Sequence, residues 1–151
     1  MTDERAFEGT AFLGLARSSK KDPYRLGLFA QHLERGERPT VFLPIQGGTL
    51  LVTDRRILQF RPHLDIAGPW NVRRFLGYDL ERAADRSDVR HVEYRAAPPS
   101  PDGGSRVLEE RLLLSTSEGS QEVLLSRGPQ AVLTSEEVRL LRTAILDDQA
   151  K

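Results

Sequence analysis

Past Gly36 the apolar positions of this chain alternate with a period of two, whereas before it they recur every three or four residues. Leu26, Phe29, Ala30 and Leu33 fall at i, i+3, i+4 and i+7. Asp22 supplies an N-cap oxygen, Pro23 suits the first helical position and Gly36 suits a left-handed stop, so a helix is predicted between them. The alternating part predicts seven strands, at 38–45, 48–54, 56–62, 71–79, 88–96, 106–115 and 120–127. Their separators are Gln46-Gly47-Gly48, Thr53–Arg56, a Pro62–Trp70 loop, a charged Glu81–Asp88 stretch, Pro98–Ser105 and Ser117-Glu118-Gly119. The clearest hairpin is Gly47–Phe60. There Leu50 and Val52 point to one face and Leu51 and Thr53 to the other, Thr53-Asp54-Arg55-Arg56 turns, and Ile57-Leu58-Gln59-Phe60 resumes the pattern. A last helix is predicted from about Ser135 to Asp147. Thr134 and Glu137 have capping-box spacing, and Val138, Leu141, Ala144 and Ile145 form one stripe, with Arg139, Arg142 and Asp148 largely elsewhere.

The first 21 residues carry the apolar cluster Phe7, Ala11-Phe12-Leu13 and Leu15, a pattern that fits a packed segment and a loose one equally. The Pro98–Gly104 run reads as a mobile hairpin tip, because too few residues follow it to stand as a domain of their own. A chain of 151 residues fits one domain with a single good core.

Composition narrows the function classes. Lysine plus arginine equals aspartate plus glutamate at 22 each, so no global field draws the protein to nucleic acid or to a membrane. The halves differ modestly, with 12 basic against 8 acidic side chains over 1–75 and 10 against 14 over 76–151. Only Lys20, Lys21 and Lys151 are lysine; the other basic residues are 19 arginines, a bias to which base composition contributes as readily as recognition does. Without cysteine there is no disulfide framework, thiolate nucleophile or cysteine-ligated zinc. Met1-Thr2-Asp3-Glu4-Arg5 is charged and mixed in sign, and no apolar run approaches the roughly 18 residues that cross a bilayer, so a cytoplasmic protein is expected.

Three short motifs carry a family resemblance. The hairpin reads as glycine, apolar strand, Thr-Asp-x-Arg, and apolar strand ending in Phe60. Leu33-Glu34-Arg35-Gly36-Glu37 resembles a Leu-x-x-Gly-Glu lead-in to a first strand, and Tyr78-Asp79-Leu80 resembles the segment after a fourth. Together, over about residues 33–147, they look like bacterial pleckstrin-homology-like (PH-like) and GRAM-type domains. The resemblance implies a mainly β fold with helices (α+β): a seven-stranded antiparallel, partly open barrel over 37–148 with a C-terminal capping helix, preceded by an extension over 1–36 with an added helix. It also implies a binding module with no catalytic machinery and no cofactor. The chain departs from phosphoinositide-binding members, since Gln46-Gly47-Gly48 is short and uncharged where their headgroup pocket has cations, and the last helix lacks their tryptophan.

The search for chemistry is largely negative. His32, His63 and His91 lie on a helix, in a loop and in a strand without metal-ligand spacing. Ser115-Thr116-Ser117-Glu118-Gly119 lacks the leading glycine and the strand-to-helix setting of a nucleophile elbow. Gly47-Gly48 and Gly103-Gly104 do not open a helix with Lys-Ser/Thr, so neither is a phosphate loop, and Glu109 and Glu110 alternate across a strand and point apart. What remains is a basic and aromatic cluster, Arg55, Arg56, Arg61, Trp70, Arg73 and Arg74, in a stretch of net charge +3 over 53–74. The same residues suit plainer roles, with Arg55 and Arg56 solvating a turn and Trp70 closing a barrel mouth. The expected function is protein–protein interaction, with another protein or an acidic peptide bound at this cluster or at a sheet edge. The competing readings are RNA binding through sheet-face arginines, opposed by the neutral charge, and lipid or membrane-surface binding. An enzyme or carrier site inside the barrel is disfavoured because Leu50, Val52, Ile57 and Leu112 look like core filler.

Overall fold

Strand Gly48–Thr53 sets the architecture, because five of its six residues are buried and it must therefore be covered on both faces. The structure, a computed structural model, describes residues 4–18, 20–67, 72–98 and 107–146. Among these, eight strands form two sheets. The larger has the order β1 (Ala11–Phe12), β2 (Pro39–Ile45), β3 (Gly48–Thr53), β4 (Arg56–Ala67) and β5 (Val72–Asp85). The smaller consists of β6 (Val89–Ala97), β7 (Leu108–Thr116) and β8 (Gly119–Gly128). All neighbours are antiparallel except β1, which pairs parallel to β2. Helix α1 (Pro23–Ala30) precedes β2 and helix α2 (Ser135–Leu146) follows β8, so the described chain is mainly β with helices. No helix among the described residues is long and apolar enough to cross a membrane.

The inner face of the larger sheet packs on the smaller sheet and on α2. Val41, Leu43, Leu50, Val52 and Ile57 meet Val92, Leu112, Leu114, Val123, Leu141 and Ile145 in one core. The outer face carries a second core, in which Leu51, Leu58 and Phe60 lie under Phe7, Leu26 and Phe29. The N-terminal segment is thus packed, contributing Leu13 to the first core and Phe7 to the second. A backbone hydrogen bond also links the two sheets at one corner, where the Gln46 N–H donates to the Leu125 carbonyl at 3.0 Å.

Helix α2 starts as its sequence predicts. Thr134 Oγ1 accepts from the Glu137 N–H at 3.1 Å and the Glu137 carboxylate accepts from the Thr134 N–H at 3.0 Å, a capping box. The loop before it is held by the fully buried Glu110. Its oxygens accept from Tyr94 Oη, Ser126 Oγ and the N–H groups of Val132 and Leu133. Burial opposes that negative charge, but the four donors outweigh it and hold the carboxyl below its ordinary range.

Several predicted boundaries move, each for a physical reason. The eighth strand is the two-residue β1, too short to leave an alternating pattern. Helix α1 begins at Pro23, with Asp22 capping the Tyr24 N–H at 3.0 Å, but ends at Ala30, well short of Gly36. There the His32 and Leu33 N–H groups tighten onto Phe29 and Ala30, and the Glu34 N–H goes to the Glu37 carboxylate at 2.8 Å. The expected Pro62–Trp70 loop is strand as far as Ala67. Pro62 is tolerated because β3 pairs with β4 only between Ile57 and Phe60, so the missing proline N–H lies on a stretch without a β3 partner, beside a bulge. The charged stretch from Glu81 likewise remains strand to Asp85, since β5 is the edge of its sheet and its charges face water. The tip of the β4–β5 hairpin and most of the Pro98–Ser105 loop lie outside the described residues.

Candidate binding cleft

Tracing the six basic and aromatic candidates separates them. Arg56 is structural: its Nε and Nη2 donate to Glu37 at 2.9 and 2.6 Å, and the Glu37 side chain has no exposed surface. Thr53 Oγ1 donates to the same carboxylate at 2.6 Å and accepts from the Arg55 and Arg56 N–H groups. Burial would raise the Glu37 pKa, but the bonds from Arg56, Thr53 and the Glu34 N–H lower it overall. The Leu-x-x-Gly-Glu lead-in and the Thr-Asp-Arg-Arg turn are therefore two halves of one buried ion-pair knot.

The other candidates are dispersed. Arg55, on the same turn, is half-exposed and 3.8 Å from Glu34. Arg61 is 3.7 Å from Glu81. Arg73 and Arg74 lie on β5 opposite Ile66 and Asp65, ten strand residues from Arg56, which at about 3.3 Å per residue is roughly 30 Å. Trp70 lies outside the described residues. The turn arginines and the hairpin-tip arginines do not meet.

The histidines are equally scattered. His32 Nε2 is 3.0 Å from the Tyr78 carbonyl, and His63 Nδ1 is 2.7 Å from Asp79 on the exposed hairpin. Among the described residues no group of three or more His, Cys, Asp or Glu is placed to hold a metal ion.

Leu50, Val52, Ile57 and Leu112 are all buried in the core between the sheets. The notable concavity is outside, on the outer face of the larger sheet, with a volume of about 810 Å³. It opens where the second core ends. Beyond Phe60 no described strand pairs with β4 on its β3 side, so the β4–β5 hairpin overhangs the sheet. Pro62 and Leu64 on β4 and Phe75 and Tyr78 on β5 form one wall, and α1 forms another with Arg25, Leu26 and Phe29. Phe12, Leu15 and Ala16 close a third side, and Phe42, Pro44, Gly48 and Thr49 make the floor. Gly48 is obligatory there, because a Cβ would sit 1.9 Å from the Phe60 carbonyl oxygen.

The cleft joins aromatic walls to a cationic mouth. Phe29 stacks on Tyr78 at 3.9 Å between ring centres, Phe12 lies 5.0 Å from Phe42, and Phe75 meets Tyr78 edge-on at 5.1 Å. Lys21 Nζ lies 4.6 Å from the Phe12 ring centre and the Arg25 guanidinium 5.7 Å from that of Phe75, with Lys20 beside them. Tyr78 titrates above its ordinary range, chiefly because burial disfavours the phenolate. Leu15 and Leu64 are 70% and 48% exposed at the rim.

Sequence reasoning passed over these residues. Phe12, Lys20, Arg25 and Phe75 converge only through the fold; the available signal was the Lys20-Lys21 pair, two of three lysines in a chain otherwise furnished with arginine. Comparison of the chain with protein-family models, with curated proteins and with solved structures finds no match.

Proposed function

We propose that this chain is a non-enzymatic protein-binding module with a PH-like arrangement, and that its partner seats in the cleft on the outer face of the larger sheet. The element order supports the PH-like reading: four antiparallel strands, three antiparallel strands, then an amphipathic helix against the core. The observation that carries the function is the cleft itself, an aromatic concavity of about 810 Å³ with exposed leucines at its rim and cations at its mouth. Aromatic anchoring ringed by charge is the usual make-up of an interface centre. The cluster of Arg55, Arg56, Arg61, Arg73 and Arg74 is a weaker site, because Arg56 is committed to Glu37.

Leu64→Trp tests this reading. Leu64 is half-exposed, so the substitution fills the cleft from its rim and leaves the melting temperature nearly unchanged. A partner captured and identified with the wild-type chain is expected to be lost with the variant. Undiminished capture by a folded L64W protein places the partner elsewhere.

A further inference from the structure

We infer that the occupant of the cleft is an extended acidic peptide segment bearing one large apolar side chain; this rests on the cleft being the protein-binding site. Charge gives the sign. Lys20, Lys21 and Arg25 line the mouth, and the one acidic residue of the lining, Asp22, caps α1 and lies 3.8 Å from Arg25. Asp22 thus offsets Arg25, while among the described residues neither lysine has a carboxylate partner. The walls give the anchor, since the rings of Phe12, Phe42 and Phe75 offer faces and edges to an inserted aromatic or leucine side chain.

The backbone distinguishes a peptide from a lipid chain. The floor includes Gly47 and Gly48, and among the described residues β4 continues for seven residues beyond Phe60, one of them Pro62 without an N–H, with no strand on that side, about 20 Å of edge. An acyl chain laid there would cover peptide N–H and C=O groups without satisfying them, whereas a peptide brings its own. An edge of that length accommodates about six extended residues.

The test is selection of random heptapeptides on the immobilised full chain, run in parallel on wild type, Lys20→Glu/Lys21→Glu and Leu64→Trp, each shown by its melting curve to be folded. Wild type is expected to enrich peptides with net negative charge and at least one aromatic or leucine. A synthetic copy of the best peptide should bind the lysine double variant at least about tenfold more weakly, because like charges then face each other across the interface. Enriched peptides without acidic excess, or enrichment unaffected by the lysine reversal, overturn the inference. So does a failure to enrich any peptide, and binding to vesicles containing phosphatidylserine would then make the cleft a lipid site. If L64W still captures the native partner, the fault lies with the choice of cleft; if L64W loses it while the selected peptides carry no acid, the fault lies with the peptide chemistry alone.

Discussion

The inner and outer faces of the larger sheet begin with the same residue types and end differently. Inside, Val41, Leu43, Leu50, Val52 and Ile57 are no more than 4% exposed, because the smaller sheet and α2 cover them. Outside, Leu51, Leu58 and Phe60 are just as buried, but their cover is an eight-residue helix and a short N-terminal segment. The hairpin runs on past that cover, and Leu64 stands 48% exposed over the cleft. An apolar face becomes core where a second layer reaches across it and an open cleft where the layer stops short.

The comparison breaks first at the closed end of the outer face. Arg56→Ala would strand the Glu37 carboxylate without its cation, so denaturant unfolding should show a loss of about 3–5 kcal/mol, against under about 0.5 for Arg55→Ala. Similar small effects at both positions would mean that this end is not closed by the ion pair. On the inner face, Leu141→Ala should cost about 2–5 kcal/mol and Arg142→Ala under about 0.5, since Leu141 is 1% exposed and Arg142 faces water. A tolerated L141A would show that α2 does not seal the core.

The smallest effect sharpens the border between the faces, where Arg17 of the N-terminal segment grips Glu137 of α2. The Arg17 guanidinium donates to Glu137 at 2.7 Å and holds its carboxyl at about 2, below the ordinary 4.5. A carboxyl depressed in the folded state stabilises above its unfolded value, and that stabilisation fades as pH falls from about 4.5 towards 2. The wild-type melting temperature should therefore drop more steeply over this window than that of Glu137→Gln. Parallel curves would show that the pair does not join the segment to the helix.

Much of the scaffold was legible in the chain, because alternation and caps are local. Leu50 and Val52 face one core and Leu51 the other, the Thr134–Glu137 box forms, and Asp22 caps α1. What escaped depends on partners distant in sequence. Pro62 read as a loop because the lack of a β3 neighbour beyond Phe60 is a fact of register. The helix ends at Ala30 because Glu37 takes the Glu34 N–H, a competition that periodicity does not see. The candidate site was the least legible. Arg55 and Arg56 are adjacent and identical, yet one is half-exposed and the other is locked to Glu37, while the cleft draws its walls from α1, β5 and the N-terminal segment.

The Arg17–Glu137 contact, 120 residues apart in the chain, also fixes an order of events during synthesis. The segment carrying Arg17 leaves the ribosome before the Val132 carbonyl and Glu137 that hold it, which lie 115 and 120 residues further on. A nascent chain released only as far as β8 has every strand of both sheets, and β1 can pair with β2, but it lacks this one clasp on a cleft wall. Such long-range closure is slow, and domains assemble as their parts become available. One side of the cleft is therefore without this clasp until α2 has formed.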